Sequence, residues 1–275
     1  MSLSFEKSSI AKYFAELGGT FLLVLFGCGA AMLTGNAMAI GAAFGLTIIV
    51  VGLTFGKLSG THLNPVVSLV MLLKKDLGVV DFIFYVLSQV VGAVLAALVL
   101  YGIYSGFTIN VSGTTMHALD SSLGSNIAEM FPTLTVGDWH WAGALFGFGW
   151  EILITFVFLL AILFACTKKD VKNPCIMIGV ALTLIIVIGC AGPTGASVNP
   201  ARSFGPAMIS MIAGDFRGII SLPVMLTAPF VGGILALVAF KGISKRLTKD
   251  EAPVEECCCK GDHDHKDSEC CKDKK

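Results

Sequence analysis

The chain has 275 residues, of which 55% are hydrophobic and 14% charged, and its 19 basic and 19 acidic side chains cancel. Soluble domains carry about a quarter charged residues, so an ordinary water-soluble globule is excluded. No basic stripe offers a seat to nucleic acid, and the nine cysteines are divided between apolar stretches and the last polar segment rather than spaced as a secreted disulfide scaffold.

A helix needs about 20 apolar residues to cross a hydrocarbon core roughly 30 Å thick. The first such stretch, residues 10–33, follows Lys7 and Lys12 and runs directly into a second, 37–55, so it reads as a span and not a cleavable signal. After Lys57 comes Ser59-Gly60-Thr61-His62-Leu63-Asn64-Pro65, then a short apolar run, 64–73. About 10–12 helical residues reach about 15–18 Å, half a bilayer, so this run predicts a re-entrant half-helix. Lys74 and Lys75 lead to a third span, 82–104, and residues 105–140 contain no basic side chain. A fourth span covers 141–166, Lys168, Lys169 and Lys172 follow it, and a fifth covers 174–190. Thr194-Gly195-Ala196-Ser197-Val198-Asn199-Pro200 opens a second half-helix, 199–212, before the sixth span, 219–240. Of the 19 basic residues only Arg202 and Arg217 depart from one side of this arrangement. The positive-inside rule makes that side cytoplasmic, so both termini are expected inside and 105–140 outside.

The second half of the chain repeats the first. Glu16-x-x-x-Thr20-Phe21 recurs as Glu151-x-x-x-Thr155-Phe156, and Asn64-Pro65 as Asn199-Pro200, both at an offset of 135. Each copy, about 10–104 and 141–240, holds three spans and a half-helix. An odd number of spans inverts the second copy, so the half-helices enter from opposite faces and meet near the midplane, where such repeats place a transport site. The expected organisation is therefore a channel domain, 1–240, and a tail, 241–275.

Asparagine is a strong N-cap and proline suits the first helical turn, so Asn64-Pro65 and Asn199-Pro200 each start a helix inside the membrane. Each N-terminus carries roughly half a positive charge, and two facing ends disfavour cations, hydronium included. Side-chain amides of Asn64 and Asn199 turned to a lumen would donate to a passing oxygen and break a proton wire. Extended backbone at Gly60, Thr61 and His62, and at Gly195 and Ser197, would line the path with carbonyls. Arg202 is an intramembrane cation, expected to donate to a permeating oxygen and to repel cations. Glu16 and Glu151 are intramembrane acids at repeat-equivalent positions, expected to accept hydrogen bonds from loop N–H groups that have no ladder partner.

These motifs resemble those of the aquaporin and glycerol-facilitator family, the major intrinsic proteins, over residues 10–240. The resemblance implies an all-α membrane protein of six transmembrane helices plus two half-helices, assembled as a homotetramer with one pore per subunit. It implies a four-membered selectivity filter of Phe44, Ala196, Arg202 and a residue of the fifth span, either Val187 or Ile188; the loop length before Asn199 favours Ile188. An aliphatic residue there, where water-selective members resemble one another in carrying His, and Ala196 and Ser203, where glycerol facilitators usually carry an aromatic and Asp, place the filter with the intermediate filters of some microbial and archaeal aquaporins. Val66 stands where the family usually has Ala, which suggests either altered packing or a tighter, more apolar centre. The implied function is passive conduction of water and small uncharged solutes such as glycerol, with protons and ions excluded.

The tail carries Cys257, Cys258, Cys259, His263, His265, Cys270 and Cys271 among acids and lysines. It lacks apolar periodicity and is expected to be disordered. Its thiols and imidazoles suit a soft or borderline ion such as Zn²⁺ or Cu⁺, which makes a membrane-anchored metal or metalloid sensor the alternative function. No nucleophile–base pair or phosphate loop is present to suggest an enzyme, and the channel itself calls for no cofactor.

Overall fold

The computed structural model describes residues 7–105, 108–111, 114–117, 141–167, 171–190 and 192–250. Within them lie helices α1 (Lys7–Thr34), α2 (Ala37–Ser59), α3 (Pro65–Lys74), α4 (Val79–Tyr104), α5 (Trp141–Thr167), α6 (Pro174–Cys190), α7 (Pro200–Ile212) and α8 (Arg217–Asp250), with strands β1 (Thr108–Val111) and β2 (Thr114–His117) between α4 and α5. By length and composition α1, α2, α4, α5 and α8 can each cross a membrane. The fifth span, α6, has 17 residues, about 25 Å at 1.5 Å per residue, slightly short of the hydrocarbon thickness. Helices α3 and α7, of 10 and 13 residues, are the two half-helices.

The helical bundle is as expected, and between α4 and α5 it carries one small hairpin: β1 and β2 pair antiparallel, with Thr108 opposite His117 and Val111 opposite Thr114. The signal was legible, because Ser112-Gly113 between two β-branched runs is hairpin chemistry. The chain divides into compact units Met1–Lys241 and Gly242–Lys275, and the described part of the second, residues 242–250, is helical. The remaining Cys/His-rich residues lie outside the described structure.

Local chemistry sets the helix ends. Asn36 caps α2, its Oδ1 accepting from Ala39 N at 3.0 Å. Gly60 closes the same helix in a left-handed conformation, φ 79°, donating its N–H to Gly56 O, as a residue without Cβ does at low cost. Asn64 and Asn199 sit in extended conformation and accept from the first turns of α3 and α7, each of which begins with proline.

The helices approach closely where one of them has no side chain. A Cβ at Gly92 of α4 would lie 2.3 Å from Leu17 O of α1, and one at Gly232 of α8 would lie 2.5 Å from Ile152 O of α5. Leu17 and Ile152 are repeat-equivalent, offset by 135, so the inverted copies pack by the same device. Helices α2 and α6 meet similarly: a Cβ at Gly45 would stand 2.3 Å from Gly179 O. Small residues permit such backbone contact in membranes, where dispersion rather than water expulsion holds helices together.

The distribution of polarity is that of a bundle in lipid. Glu16, Glu151, Gln89, Asn64, Asn199 and Arg202 are buried, while Leu46, Val50, Leu184 and Val238 are exposed on the outer surface. The apolar exterior faces hydrocarbon, and the polar interior must supply every hydrogen bond itself.

This packing predicts that Gly92→Leu and Gly232→Leu each lose more than the 1–3 kcal/mol usual for overpacking, because the obstacle is backbone. Gly18→Ala, where a Cβ meets nothing within 4 Å, should leave the apparent unfolding temperature of the purified protein unchanged or raised.

Candidate pore

Two re-entrant loops, 59–64 and 194–199, carry the polar chemistry. The N–H groups at 62–63 and at 197–198 lie outside any helix or strand, and a buried carboxylate receives each pair. The Glu16 carboxylate accepts from His62 N at 2.9 Å, Leu63 N at 2.7 Å, Ser59 Oγ at 2.7 Å and Gln89 Nε2 at 2.8 Å. The Glu151 carboxylate accepts from Ser197 N at 2.8 Å, Val198 N at 3.0 Å and Thr194 Oγ1 at 2.5 Å. Both carboxylates are fully buried and belong to the loop framework, one layer behind the lumen.

With the N–H groups so held, the loops adopt conformations that helices and strands avoid. Gly60, Thr61 and Leu63 have φ of 79°, 54° and 50°, and their repeat-equivalents Gly195, Ala196 and Val198 have 63°, 54° and 54°. A non-glycine residue in this left-handed region costs about 1–3 kcal/mol and persists only where its surroundings over-determine it.

The loops are also tied to each other. Asn64 Nδ2 donates to Val198 O at 2.9 Å, and Asn199 Nδ2 donates to Leu63 O at 2.7 Å. Each Oδ1 accepts from its own half-helix, Val66 N for Asn64 and Ala201 N for Asn199. A carboxamide nitrogen has two hydrogens, so one N–H of each asparagine is committed to the crossing and the other is available to the lumen.

That lumen is a cavity of about 200 Å³ lined by Asn64, Asn199 and Arg202, by loop residues Gly60, Thr61, His62 and Ser197, and by an apolar wall that includes Leu23, Phe44, Ile48, Phe158 and Leu182. Gly195, expected in the lining, is not among these residues and turns the loop with φ 63°. The buried Arg202 guanidinium stands 5.2 Å from the Phe44 ring centroid, a cation–π contact that holds the two cavity-lining groups together. His62 Nδ1 and Ser68 Oγ are 3.1 Å apart, and their counterparts Ser197 Oγ and Ser203 Oγ are 2.7 Å apart.

The sequence misplaced one wall. Ile188 is 54% exposed on the outside of α6 and does not line the cavity; Ile186 is 2% exposed and does. Ile178, Leu182 and Ile186 all line it, four residues apart as one helical face requires. Two further residues turn the helix by about 200°, which carries Ile188 to the far side. Val187 faces α2, with its Cγ2 2.7 Å from where a Cβ on Gly41 would be. Ala196 is buried against α6, and its Cβ would be 2.4 Å from one added to Gly189. Val66 packs on α8, with its Cγ1 2.5 Å from a Cβ added to Gly233, and does not line the cavity. Its extra methyl groups are absorbed by packing.

Other functional neighbours were not singled out from the sequence. Tyr85 donates from its OH to Ser59 O at 2.8 Å and packs edge-on against His62. Gln89 bridges Glu16 and Ser68. A buried Gln in an apolar span was the available signal. Cys257, Cys258, Cys259, His263, His265, Cys270 and Cys271 lie outside the described residues. Among the described residues no group of three or more His, Cys, Asp or Glu is placed to hold a metal ion.

Comparison with known proteins agrees with this geometry. The family model described as Major intrinsic protein matches residues 4–240. The chain is 36% identical over 229 residues to glycerol uptake facilitator protein-like 6 of Lactiplantibacillus plantarum, covering 82% of this chain and 94% of that one. It is 34% identical over 243 residues to aquaporin Z of Brucella melitensis, covering 86% and 98%. Its fold resembles the X-ray structure of the aquaglyceroporin from Plasmodium falciparum, with TM-score 0.69, 25% identity, and 88% of this chain and 99% of that chain covered. The chain belongs to the major intrinsic protein family of membrane channels.

The carboxylate anchors carry a prediction. Glu151→Gln replaces a pure acceptor with a group that accepts at one atom only. Hydrogen bonds to a charged group are worth roughly 1.5–3 kcal/mol each, so the variant should lose several kcal/mol and much of its water permeability per folded protein. Asn36→Ala, removing a cap far from the loops, should cost about 1 kcal/mol and leave permeability intact. Thermal unfolding and stopped-flow light scattering on matched proteoliposomes read both.

Proposed function

We propose that this protein is a passive channel conducting water and small uncharged solutes of the size of urea and glycerol while excluding protons and cations. The observation that carries the reading is the meeting of two asparagine-capped half-helices at one cavity, each with an amide N–H available to the lumen. Both N-termini present the positive end of a helix dipole there. A water held by two donors uses its lone pairs on them, so it cannot accept from the next water and a proton wire is interrupted. The Arg202 guanidinium adds a fixed positive charge at the outer end, where it meets a permeating oxygen as donor and a cation as like charge.

The solute range follows from the wall. Ile186 offers no donor where a polar side chain would compete for water, and Ala196 is turned into α6. The lumen therefore has one polar side, from the loops, and one apolar side, from α1, α2, α5 and α6. Such a passage strips hydration at little cost from molecules that are themselves part apolar. The names of the relatives, a glycerol uptake facilitator and an aquaglyceroporin among them, support this range. The assembly proposed is a homotetramer in the cell membrane with both termini cytoplasmic, on the family resemblance and the asymmetry of lysine. The metal-sensor alternative rests on residues 257–271, whereas the channel reading rests on the described half-helices, which also hold asparagine where an ion-coupled carrier would want titratable groups.

Proteoliposomes in glycerol and urea gradients test the solute range. Re-swelling well above that of empty vesicles is expected, and parity with empty vesicles in both solutes would remove it. Ile186→His should lower glycerol passage by about tenfold, the scale of a one-group change in a fitted pocket, with water flux retained. Ile188→His should change neither. Arg202→Val should open a small proton or cation leak in electrical recordings, and an unchanged blockade would assign the whole barrier to Asn64 and Asn199.

A further inference from the structure

Two glycines that do not line the cavity stand directly behind Phe44, which lines it, and behind Ala196, a buried residue of the loop that lines it. Gly27 of α1 lies beneath the Phe44 ring: a Cβ there would be 2.2 Å from Cε1, 2.3 Å from Cζ and 2.5 Å from Cδ1. Gly189 of α6 lies beneath Ala196, 2.4 Å from its Cβ by the same measure. Real Cβ contacts do not fall below 3.0 Å, so in each case the filter residue occupies the volume the missing side chain would fill.

We propose that Gly27 and Gly189 are specificity-determining residues that set the bore of the outer filter from behind, by fixing how far Phe44 and Ala196 recede from the lumen. The inference rests on the channel reading above and deepens it. Phe44 is 2% exposed and lines the cavity. Its ring has α1 on one side, the Arg202 guanidinium at 5.2 Å on another, and the lumen as its open side. A methyl group on residue 27 drives the ring toward that opening by about 1 Å, the difference between the present approach and ordinary van der Waals contact. Ala196 has a φ of 54° and sits in a loop held by Glu151 through the Thr194 hydroxyl before it and the Ser197 and Val198 N–H groups after it. A methyl group on residue 189 has no flexible side chain to deflect and moves that loop toward the lumen.

The repeat sharpens the point. The equivalent of Gly27 is Ile162, offset by 135, and Ile162 lines the cavity itself. One copy of the repeat therefore builds its wall from the helix directly. The other withdraws to glycine, and Phe44 takes the space. General helix packing does not call for glycine at this position, because its counterpart tolerates one of the larger aliphatic residues. Neither Gly27 nor Gly189 has the left-handed φ that excludes other residues, so alanine suits the backbone at both and the obstacle is the filter residue alone.

The test compares glycerol and water permeability in proteoliposomes carrying the full chain, normalised to folded protein. Gly27→Ala and Gly189→Ala should each lower the glycerol-to-water ratio by about tenfold. The ratio should recover in Gly27→Ala/Phe44→Leu, where a smaller side chain leaves room, and in Gly189→Ala/Ala196→Gly, where the opposing Cβ is gone. A packing defect alone lowers both fluxes together and leaves the ratio where it was. An unchanged ratio in both single variants overturns the proposal, as does a lowered ratio that neither partner change reverses. If Gly27→Ala yields no folded protein, recovery of both folding and the ratio in the double variant supports the seat, and failure to recover either overturns it. If wild type excludes every solute larger than water, the solute reading falls independently. The seats are then read on water: each alanine variant should lower water permeability and its partner change restore it, and no change in either overturns them.

Discussion

Hydrocarbon cannot hydrogen-bond to an exposed peptide group, and everything at the centre of this protein follows from that. A half-helix that starts at the midplane needs a stretch of irregular backbone to reach its first residue. The N–H groups of that stretch have no neighbour in a ladder. Glu16 and Glu151 answer the constraint in the two copies, each accepting from consecutive loop N–H groups and from a hydroxyl that begins the loop, Ser59 or Thr194. A carboxylate is the efficient choice because it offers acceptor sites only, enough to serve several donors at once.

Once the loops are held, the rest of the site can afford strain. Left-handed Thr61, Leu63, Ala196 and Val198 are tolerated because the carboxylates leave the backbone little alternative. That conformation brings Leu63 O and Val198 O to the opposite asparagines. The two cross-bonds orient both carboxamides, so that the amide N–H each retains for the lumen is set by the partner loop. The lumen is thus assembled reciprocally, each copy positioning the other's donor. On the side of Glu16, Tyr85 of α4 reaches the start of the loop at Ser59 O and Gln89 of the same helix reaches the carboxylate.

Much of this was legible in the sequence because it is doubled. The recurrence of Glu16 and Asn64 at a single offset located the repeat, the inversion, the half-helices and the anchoring acids together. The α6 wall was less legible because it was counted through a loop. The connection from α6 to Asn199 is irregular, and distance along it says little about which helical face a residue occupies. Phase along α6 was the sounder ruler, since Ile178 and Leu182 already mark the face that ends in Ile186. The hydroxyl of Tyr85 and the glycines behind Phe44 and Ala196 matter through what they touch or leave empty, which no periodicity records. Of the two readings open for Val66 the structure supports packing, because it is matched by Gly233 on a helix distant in sequence and does not line the cavity.

The central claim is that a preformed path, lined by amide and guanidinium donors, passes water without passing protons. The most direct measurement is the temperature dependence of water permeability in proteoliposomes loaded with a pH-sensitive dye, with a proton-motive gradient applied during the same experiment. The account predicts fast shrinkage with an activation energy close to that of water self-diffusion and no proton entry above that of empty vesicles. An activation energy like that of bare lipid, or acidification that tracks the water flux, would contradict it.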